Sequence, residues 1–296
     1  MEKEFKSGFA AIIGLPNVGK STLLNAIAGQ KIAIVSDKSQ TTRNKILAIF
    51  NDEGHQIVFT DTPGIHRPHN KLGEFMVKTA KDAAGDVDIV LFMVDAEKKV
   101  SDTERKIAED MQKSGIDTIL VINKADKVVK EEILPIIASY AGVCDFAAVV
   151  PISAKTGDGV EILLDEMKKL LPKGPKFYDE ELVTDQQEKQ IAEEIIREKI
   201  LRFLDKEVPH GIAVQIEKMS ELDNITKIYA SIYCEKASHK GIIIGKNGEM
   251  LKKIGKCARV DIEEMLDKKV YLELWVKVKN DWRNSEKLIK NFGFDL

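Results

Sequence analysis

The chain has 296 residues, with 45 Lys and Arg against 48 Asp and Glu and a formal net charge of −3. That length suggests two domains, each able to bury its own core, and the balanced charge predicts a soluble protein while saying nothing about partners. Cys144, Cys234 and Cys257 are isolated and odd in number. They exclude a C-x-x-C pair or a disulfide framework, so reduced thiols in a cytosolic protein are expected. The charged N-terminus, Met1 to Lys6, does not read as a secretory signal, and the longest apolar runs are too short to span a bilayer. Peripheral membrane contact stays open.

Phe9 to Ile13 is a short apolar run that predicts a buried strand, and Thr22 to Ala28 has helical spacing. Between them Gly14 to Ser21 reads Gly-Leu-Pro-Asn-Val-Gly-Lys-Ser. A strand, a glycine-bounded loop and a helix in this order form the context of a phosphate-binding P-loop. Gly14 and Gly19 let successive backbone N–H groups turn toward one anion, and the helix adds its positive end. Lys20 can reach the β- and γ-phosphates, and the Ser21 hydroxyl can ligate Mg²⁺.

The polar stretch Ser39 to Arg43 predicts a loop running into a strand over Ile46 to Phe50. Gln56 to Thr60 predicts a strand ending in Asp61-Thr62-Pro63-Gly64, where Pro and Gly force a turn. A carboxylate there suits a Mg²⁺ partner. Residues 65–85 read as polar and then helical, and Asp86 to Val94 as an apolar strand. Ser101 and Glu104 predict a capped helix over 101–114. Thr118 to Ile122 is a strand ending in Asn123-Lys124-Ala125-Asp126. After a further helix, Phe146 to Val150 is a strand ending in Pro151-Ile152-Ser153-Ala154-Lys155, and Asp158 to Leu171 is a helix stopped by Pro172. Strands alternating with helices imply a doubly wound, mostly parallel α/β sheet, with the motifs at the edge where ligands bind.

Asn-Lys-x-Asp selects the base. The Asp126 carboxylate can accept hydrogen bonds from guanine N1–H and its 2-amino group, whereas adenine leaves it unpaired. Asn123 can tie its loop to the P-loop, the Lys124 stem can lie along the base, and the loop of Ser153, Ala154 and Lys155 can offer N–H groups to guanine O6.

A break at Pro172 to Lys176 and the acidic stretch to Glu181 predict a linker. The expected division is 1–172, a P-loop GTPase domain; 173–183, the linker; and 184–296, a second, α+β domain. In the last, a long helix is expected from Thr184 to about Lys206. Strands are expected over Ile212 to Glu217 and Lys227 to Glu235. Lys240 to Ile244 reads as strand-like or helical, a helical run starts at Glu249, and a second helix covers roughly 256–267. Val270 to Lys279 closes as a strand. Within 236–259, six lysines and Arg259 oppose Glu249 alone. Gly245-Lys246-Asn247-Gly248 sits in this basic stretch. Two glycines let a sugar-phosphate backbone lie against the main chain, and the following helix presents its N-terminal end, the properties of a KH-domain GXXG loop. Lys240, Gly245, Lys246, Asn247, Gly248, Lys252 and Lys253 are the expected RNA contacts. Ile242 to Ile244, Leu251 and Ile254 are expected to line an apolar groove or support it.

P-loop, Thr, Asp-x-x-Gly, Asn-Lys-x-Asp and Ser-Ala-Lys in this order resemble the motif series of translation-factor-related GTPases. With the basic GXXG domain behind them, they resemble the Era family, bacterial GTPases with a C-terminal type II KH domain, over essentially the whole chain. The resemblance implies that GTP or GDP is held by Gly14, Asn17, Val18, Gly19, Lys20, Ser21, Thr22, Asp61, Gly64, Asn123, Lys124, Asp126, Ser153, Ala154 and Lys155. Mg²⁺ would be held by Ser21, by Asp61 through water, and by Thr41 or Thr42, with Thr42 favoured because it directly precedes Arg43. The Gly64 N–H would hold the γ-phosphate, and loops around 36–45 and 61–75 would switch with nucleotide. Ile65 replaces the water-orienting Gln of Ras-like proteins, so intrinsic hydrolysis is expected to be slow. Asn17 could instead place K⁺ beside the phosphates, as in related potassium-activated GTPases, so Lys20, Thr42, Asp61, Gly64 and Asn17 form the expected catalytic set. His66 and His69 read as solvated loop residues. The resemblance also implies binding near the 3′ end of 16S ribosomal RNA, a role in assembling the small ribosomal subunit, and a cytoplasmic protein with some peripheral inner-membrane association; a monomer is expected. The competing reading is a membrane-associated GTPase whose basic region contacts anionic lipid.

Overall fold

The computed structural model describes residues 4–36, 38, 41–43, 46–61, 87–140 and 142–293. They divide into two compact units. One holds the described residues up to 33, from 42 to 61 and from 87 to 185; the other holds 34–41 and 186 onward.

The first unit is an α/β sheet with strand order β2-β3-β1-β4-β5-β6 among the described residues. Its strands are β1 (Lys6–Ile13), β2 (Ile46–Asn51), β3 (His55–Asp61), β4 (Ile89–Asp95), β5 (Asp117–Asn123) and β6 (Ala148–Ile152). β4 is buried along all seven residues. Continuous apolar strands of this kind are central in parallel sheets covered on both faces. β1 pairs in parallel with β3 and β4, β4 with β5, and β5 with β6, while β2 runs antiparallel on the edge. Helices α1 (Lys20–Ala28), α2 (Asp102–Ser114), α3 (Lys130–Tyr140) and α4 (Val160–Leu170) belong to the same unit. α2 opens on a capping box. Ser101 N donates to Glu104 Oε2 at 2.8 Å, and Glu104 N donates to Ser101 Oγ at 3.3 Å.

Several boundaries move from the sequence expectation. β1 begins at Lys6, and β6 begins at Ala148 and takes in Pro151. Pro151 is tolerated because β6 is an edge strand, where one ladder donor is dispensable. Phe146 packs on Phe92 instead of entering the strand, with ring centroids 6.5 Å apart. The stretch 173–183, expected to be a linker, packs along the first unit. Gly174 N donates to Phe5 O, Ser7 Oγ to Pro175 O at 2.6 Å, and Phe177 N to Gln56 Oε1 at 2.7 Å. Ile49 N donates to Val183 O and Thr184 Oγ1 to Leu47 O at 2.7 Å. Thr184 therefore does not start the next helix, which begins at Glu188 behind a Gln187–Gln190 capping box.

The second unit runs α5 (Glu188–Phe203), β7 (Ile212–Leu222), β8 (Ile225–Cys234), α6 (Ala237–Ile244), α7 (Glu249–Leu266), β9 (Lys269–Val278) and α8 (Glu286–Asn291). The sheet order is β7-β8-β9, with β7–β8 antiparallel and β8–β9 parallel. One face packs Ile216, Ile228, Ala230, Ile232 and Val276 against Ile195, Ile196, Ile254 and Ile262 of the helices. The two helices expected after Glu249 are one, α7. Gly255 does not break it: a single interior Gly costs a helix only about 1 kcal/mol, which the burial of Ile254, Ala258 and Ile262 on the core-facing side offsets. Lys240 to Ile244 is helical, within α6. Val35, Lys38 and Thr41 are held in this unit by α5 and its end: Val35 N donates to Glu198 Oε1 at 3.3 Å, Lys38 pairs with Asp205 at 2.9 Å, and Arg197 Nη2 donates to Thr41 O.

Candidate nucleotide site and RNA-contact loop

In the first unit the motifs gather at one sheet edge because β3, β1, β4, β5 and β6 are parallel. β1 has β3 on one side and β4 on the other, which makes the ends of these strands a topological switch point. The loop after β1 turns through Asn17 at φ 66° and Gly19 at φ 105° before α1 begins at Lys20. Lys20 is buried, and its Nζ donates to the carbonyls of Gly14 and Leu15 at 3.1 Å each. The ammonium thus stands within the curve of the loop, where a phosphate chain would meet it together with the amides of Val18 to Thr22.

Ser21 Oγ and Thr42 Oγ1 lie 2.8 Å apart. Thr41 faces elsewhere: its hydroxyl donates to Lys38 O at 2.6 Å. Of the two threonines, Thr42 is the one whose oxygen meets Ser21. Two hydroxyl oxygens in contact suit a hard, oxygen-seeking cation such as Mg²⁺. Asp61 ends β3, its backbone paired with Ile12 of β1 and Ile46 of β2. Its side chain, Gly64, Ile65, His66, His69 and all else over residues 62–86, including the helix expected within 65–85, lie outside the described residues.

Asn123, at the end of β5, joins three segments. Its Nδ2 donates to Val18 O at 2.7 Å, and its Oδ1 accepts from Ala154 N at 2.9 Å. The P-loop, the Asn-Lys-x-Asp loop and the Ser-Ala-Lys loop are tied by one buried amide. Gly19 makes room for it, since a Cβ there would sit 2.2 Å from Asn123 Nδ2. Ser153 is buried, and its Oγ accepts from Thr156 N at 3.3 Å, while Lys155 is exposed. Asp126 stands exposed in a short turn, Ala125–Lys127.

Sequence reasoning missed Asp95. It ends β4, is 2% exposed, and its Oδ2 accepts from Lys124 Nζ at 2.6 Å. Lys124 has φ 66°, so both its backbone and its side chain are set by this corner. Asp95 closes the apolar strand Ile89 to Val94, as Asp61 closes β3, and that repetition was the available signal. Beyond it Glu97 pairs with Lys127 at 2.9 Å, and that hydrogen bond raises the Lys127 pKa.

In the second unit Gly245 to Gly248 forms the turn between α6 and α7. Gly245 has φ 73° and ψ 177°, Asn247 φ 51° and Gly248 φ 78°. A Cβ on Gly245 would lie 2.7 Å from that of Met250, so the turn requires glycine there. Lys246, Asn247, Lys240 and Lys252 are exposed around it. Lys253 is exposed too, with its ammonium over the Phe203 ring of α5 at 4.3 Å. Ile243 and Ile254 are fully buried core, whereas Ile242 is 49% exposed and remains available to a ligand.

A family model described as a 50S ribosome-binding GTPase matches residues 9–124, and a KH domain model matches 207–283. GTPase Era of Clostridioides difficile is 52% identical over 294 residues, covering 98% of this chain and 99% of the relative. GTPase Era of Ruminiclostridium cellulolyticum is 50% identical over 291 residues, covering 98% of each. A variant of Aquifex aeolicus Era solved with GDP·AlF4⁻ superimposes with a TM-score of 0.94 at 40% identity, covering 99% of this chain and 100% of that one. Era in complex with MgGDPNP and nucleotides 1506–1542 of 16S ribosomal RNA gives the same values. With about half its residues shared over 98% of its length, and with a GTPase model followed by a KH model, this chain belongs to the Era family of GTPases.

Proposed function

We propose that this chain is a GTP-hydrolysing switch that binds 16S ribosomal RNA near its 3′ end through its KH domain and acts in assembly of the small ribosomal subunit. The observation that carries this is one chain holding both a cross-tied P-loop site and an exposed GXXG turn. The full-length relative with MgGDPNP and nucleotides 1506–1542 supports the nucleotide, Mg²⁺ and the RNA. That relative also favours the small subunit, although the model matching residues 9–124 is described by the 50S particle.

Nucleotide chemistry is assigned to 1–172 and RNA contact to 184–296. Lys20 and the loop amides of Gly14 and Asn17 to Thr22 hold the phosphates, and the Gly64 N–H holds the γ-phosphate. Ser21 and Thr42 hold Mg²⁺ directly, and Asp61 holds it through water. Mg²⁺ supplies charge neutralisation across the phosphates. Asp126 reads guanine, Lys124 lies along the base where Asp95 holds it, and the amides of Ser153, Ala154 and Lys155 meet O6. With Ile65 in place of a Gln, unaided turnover is slow, and Asn17 recruits K⁺ beside the phosphates. The rate should rise about tenfold or less when K⁺ replaces Na⁺, and Asn17→Ala should remove that rise. Equal rates in both salts would end the K⁺ assignment alone. We assign the protein to the cytoplasm as a monomer with a weak peripheral inner-membrane fraction.

On the RNA side, Lys240, Gly245, Lys246, Asn247, Gly248, Lys252 and Lys253 take the phosphate backbone. Changing Lys246→Asp together with Asn247→Asp places two negative charges at that path. Binding of the 1506–1542 RNA should weaken at least about tenfold, and the salt slope should become shallower by about one unit per lost phosphate contact. Fluorescence anisotropy over a salt series reads this, with circular dichroism checking the fold. Unchanged RNA affinity alongside loss of binding to anionic vesicles would favour the lipid-contact reading instead.

A further inference from the structure

The sheet of the second unit buries one face against α5, α6 and α7; its other face is covered at one end, where Phe292 packs on Tyr233 and Gln215 Nε2 donates to Asn291 O, and is open around Tyr271 and Trp275. On the open face the register sets Lys218 opposite Tyr229, Lys227 opposite Tyr271, Tyr229 opposite Glu273 and Ser231 opposite Trp275. Three aromatic rings from two strands therefore meet. Tyr229 stacks beside Trp275 with centroids 6.0 Å apart and planes 16° apart, and Tyr271 lies 6.0 Å from Tyr229 on the other side. Tyr271 is 45% exposed and Trp275 41%, well above the exposure of core aromatics such as Trp282 at 0%.

Charge frames the rings. Lys218, Lys227, Lys269 and Lys277 share this face with Glu217 and Glu273. Glu217 is engaged by Lys277 at 2.5 Å and by Ser231 at 2.7 Å, and Glu273 accepts from the Tyr271 hydroxyl at 3.0 Å. Lys218, Lys227 and Lys269 are exposed and make no ion pair among the described residues. The face is thus a row of flat rings, fixed on rigid strands, with free cations along it.

We propose that this face is a second RNA-contact surface, distinct from the GXXG turn, on which unpaired bases stack against Trp275, Tyr271 and Tyr229 while Lys218, Lys227 and Lys269 meet the phosphates. Aromatic rings on a sheet stack bases in just this manner, and lysines along the row supply the sequence-independent attraction. Because a GXXG turn grips only about four nucleotides, a longer RNA segment leaves bases for another surface to hold. Anionic lipid fits less well, because the rings are fixed on paired strands and do not stand at a loop tip. The inference rests on the assignment of RNA as the ligand of this domain.

Tryptophan emission tests it in the full chain, because Trp275 is exposed and Trp282, the other tryptophan, is buried. Titration with an RNA oligonucleotide of the 1506–1542 sequence should quench the emission, and Trp275→Phe should abolish the quench while keeping affinity within about twofold, since Phe still stacks. Trp275→Ala with Tyr271→Ala should weaken RNA binding about tenfold. If that double variant fails to fold, the wild-type quench and its loss in Trp275→Phe decide the matter. RNA that binds by anisotropy without touching Trp275 emission would overturn this surface and leave the GXXG assignment standing. Absence of RNA binding by either method would overturn both. Quenching by phosphatidylglycerol vesicles but not by RNA would make the face a lipid contact and overturn the proposal.

Discussion

The two candidate sites are built in opposite ways. Around the P-loop the side chains that shape the site are buried, Lys20 at 7% exposed, Asn123 at 3% and Ser153 at 1%, and one Asn amide joins three loops, while Asn17, Asp126 and Lys155 stand exposed. At the GXXG turn Lys246 and Asn247 are exposed, and the shape is held by backbone conformation at Gly245, Asn247 and Gly248. Buried, paired groups discriminate between ligands, because the wrong ligand leaves one of them unsatisfied. An exposed turn contributes position and charge, which serve for a phosphate backbone and carry no sequence information. Changes in the first site should therefore be severe and specific, and changes in the second graded and salt-dependent.

Gly19→Ala should have the largest effect. Its Cβ would fall 2.2 Å from Asn123 Nδ2, in a backbone conformation at φ 105° that Ala resists. Asn123 would have to leave Val18 and Ala154, so GTP affinity should drop at least about a hundredfold, near 2.8 kcal/mol. Calorimetry with a non-hydrolysable GTP analogue measures it, and a loss under about threefold would mean the three-loop tie is dispensable.

Asp126→Asn should come next. It removes an acceptor for guanine and supplies a donor for the 2-oxo group of xanthine. GTP affinity should fall by about two orders of magnitude while XTP binding rises, a preference set by paired polar groups. Competition between the two nucleotides tests it. Retained GTP preference would show that the exposed Asp126 does not read the base.

The smallest effect concerns a half-buried carboxyl of the second unit, Glu193. Burial pushes the Glu193 carboxyl up to about 7, opposed by the Ile216 N–H that donates to it at 2.7 Å. A carboxylate whose folded-state pKa is raised favours folding in its protonated form. Its contribution is full below the ordinary carboxylate range and is lost as pH rises toward about 7, with no further change above. Urea unfolding between pH 5 and pH 8 should show that decline, on the order of 1–3 kcal/mol. Glu193→Gln, which keeps an acceptor for Ile216, should flatten it. An equally steep decline in the Gln variant would assign the titration to another group.

Much of this protein was legible in the chain itself, where the information is local. Strand, glycine loop, Gly-Lys-Ser and helix are neighbours in sequence, so the P-loop could be read before any packing was considered. The Ser101–Glu104 capping box, the Asn-Lys-x-Asp turn after a buried strand and the GXXG turn before a helix are local in the same sense. The tertiary structure decided what depends on residues far apart in sequence. It put the Thr42 hydroxyl, and not that of Thr41, against Ser21. It brought Asp95 to Lys124 across neighbouring strands. It laid 173–183 along the first unit through backbone groups that no side-chain pattern announces. It carried α7 through Gly255 because Ile254, Ala258 and Ile262 on either side of it are buried in one core. Tyr229 and Trp275, 46 positions apart in the chain, stack only because β8 and β9 pair in one register. Periodicity assigns each ring to a face of its own strand, but register alone determines which rings meet.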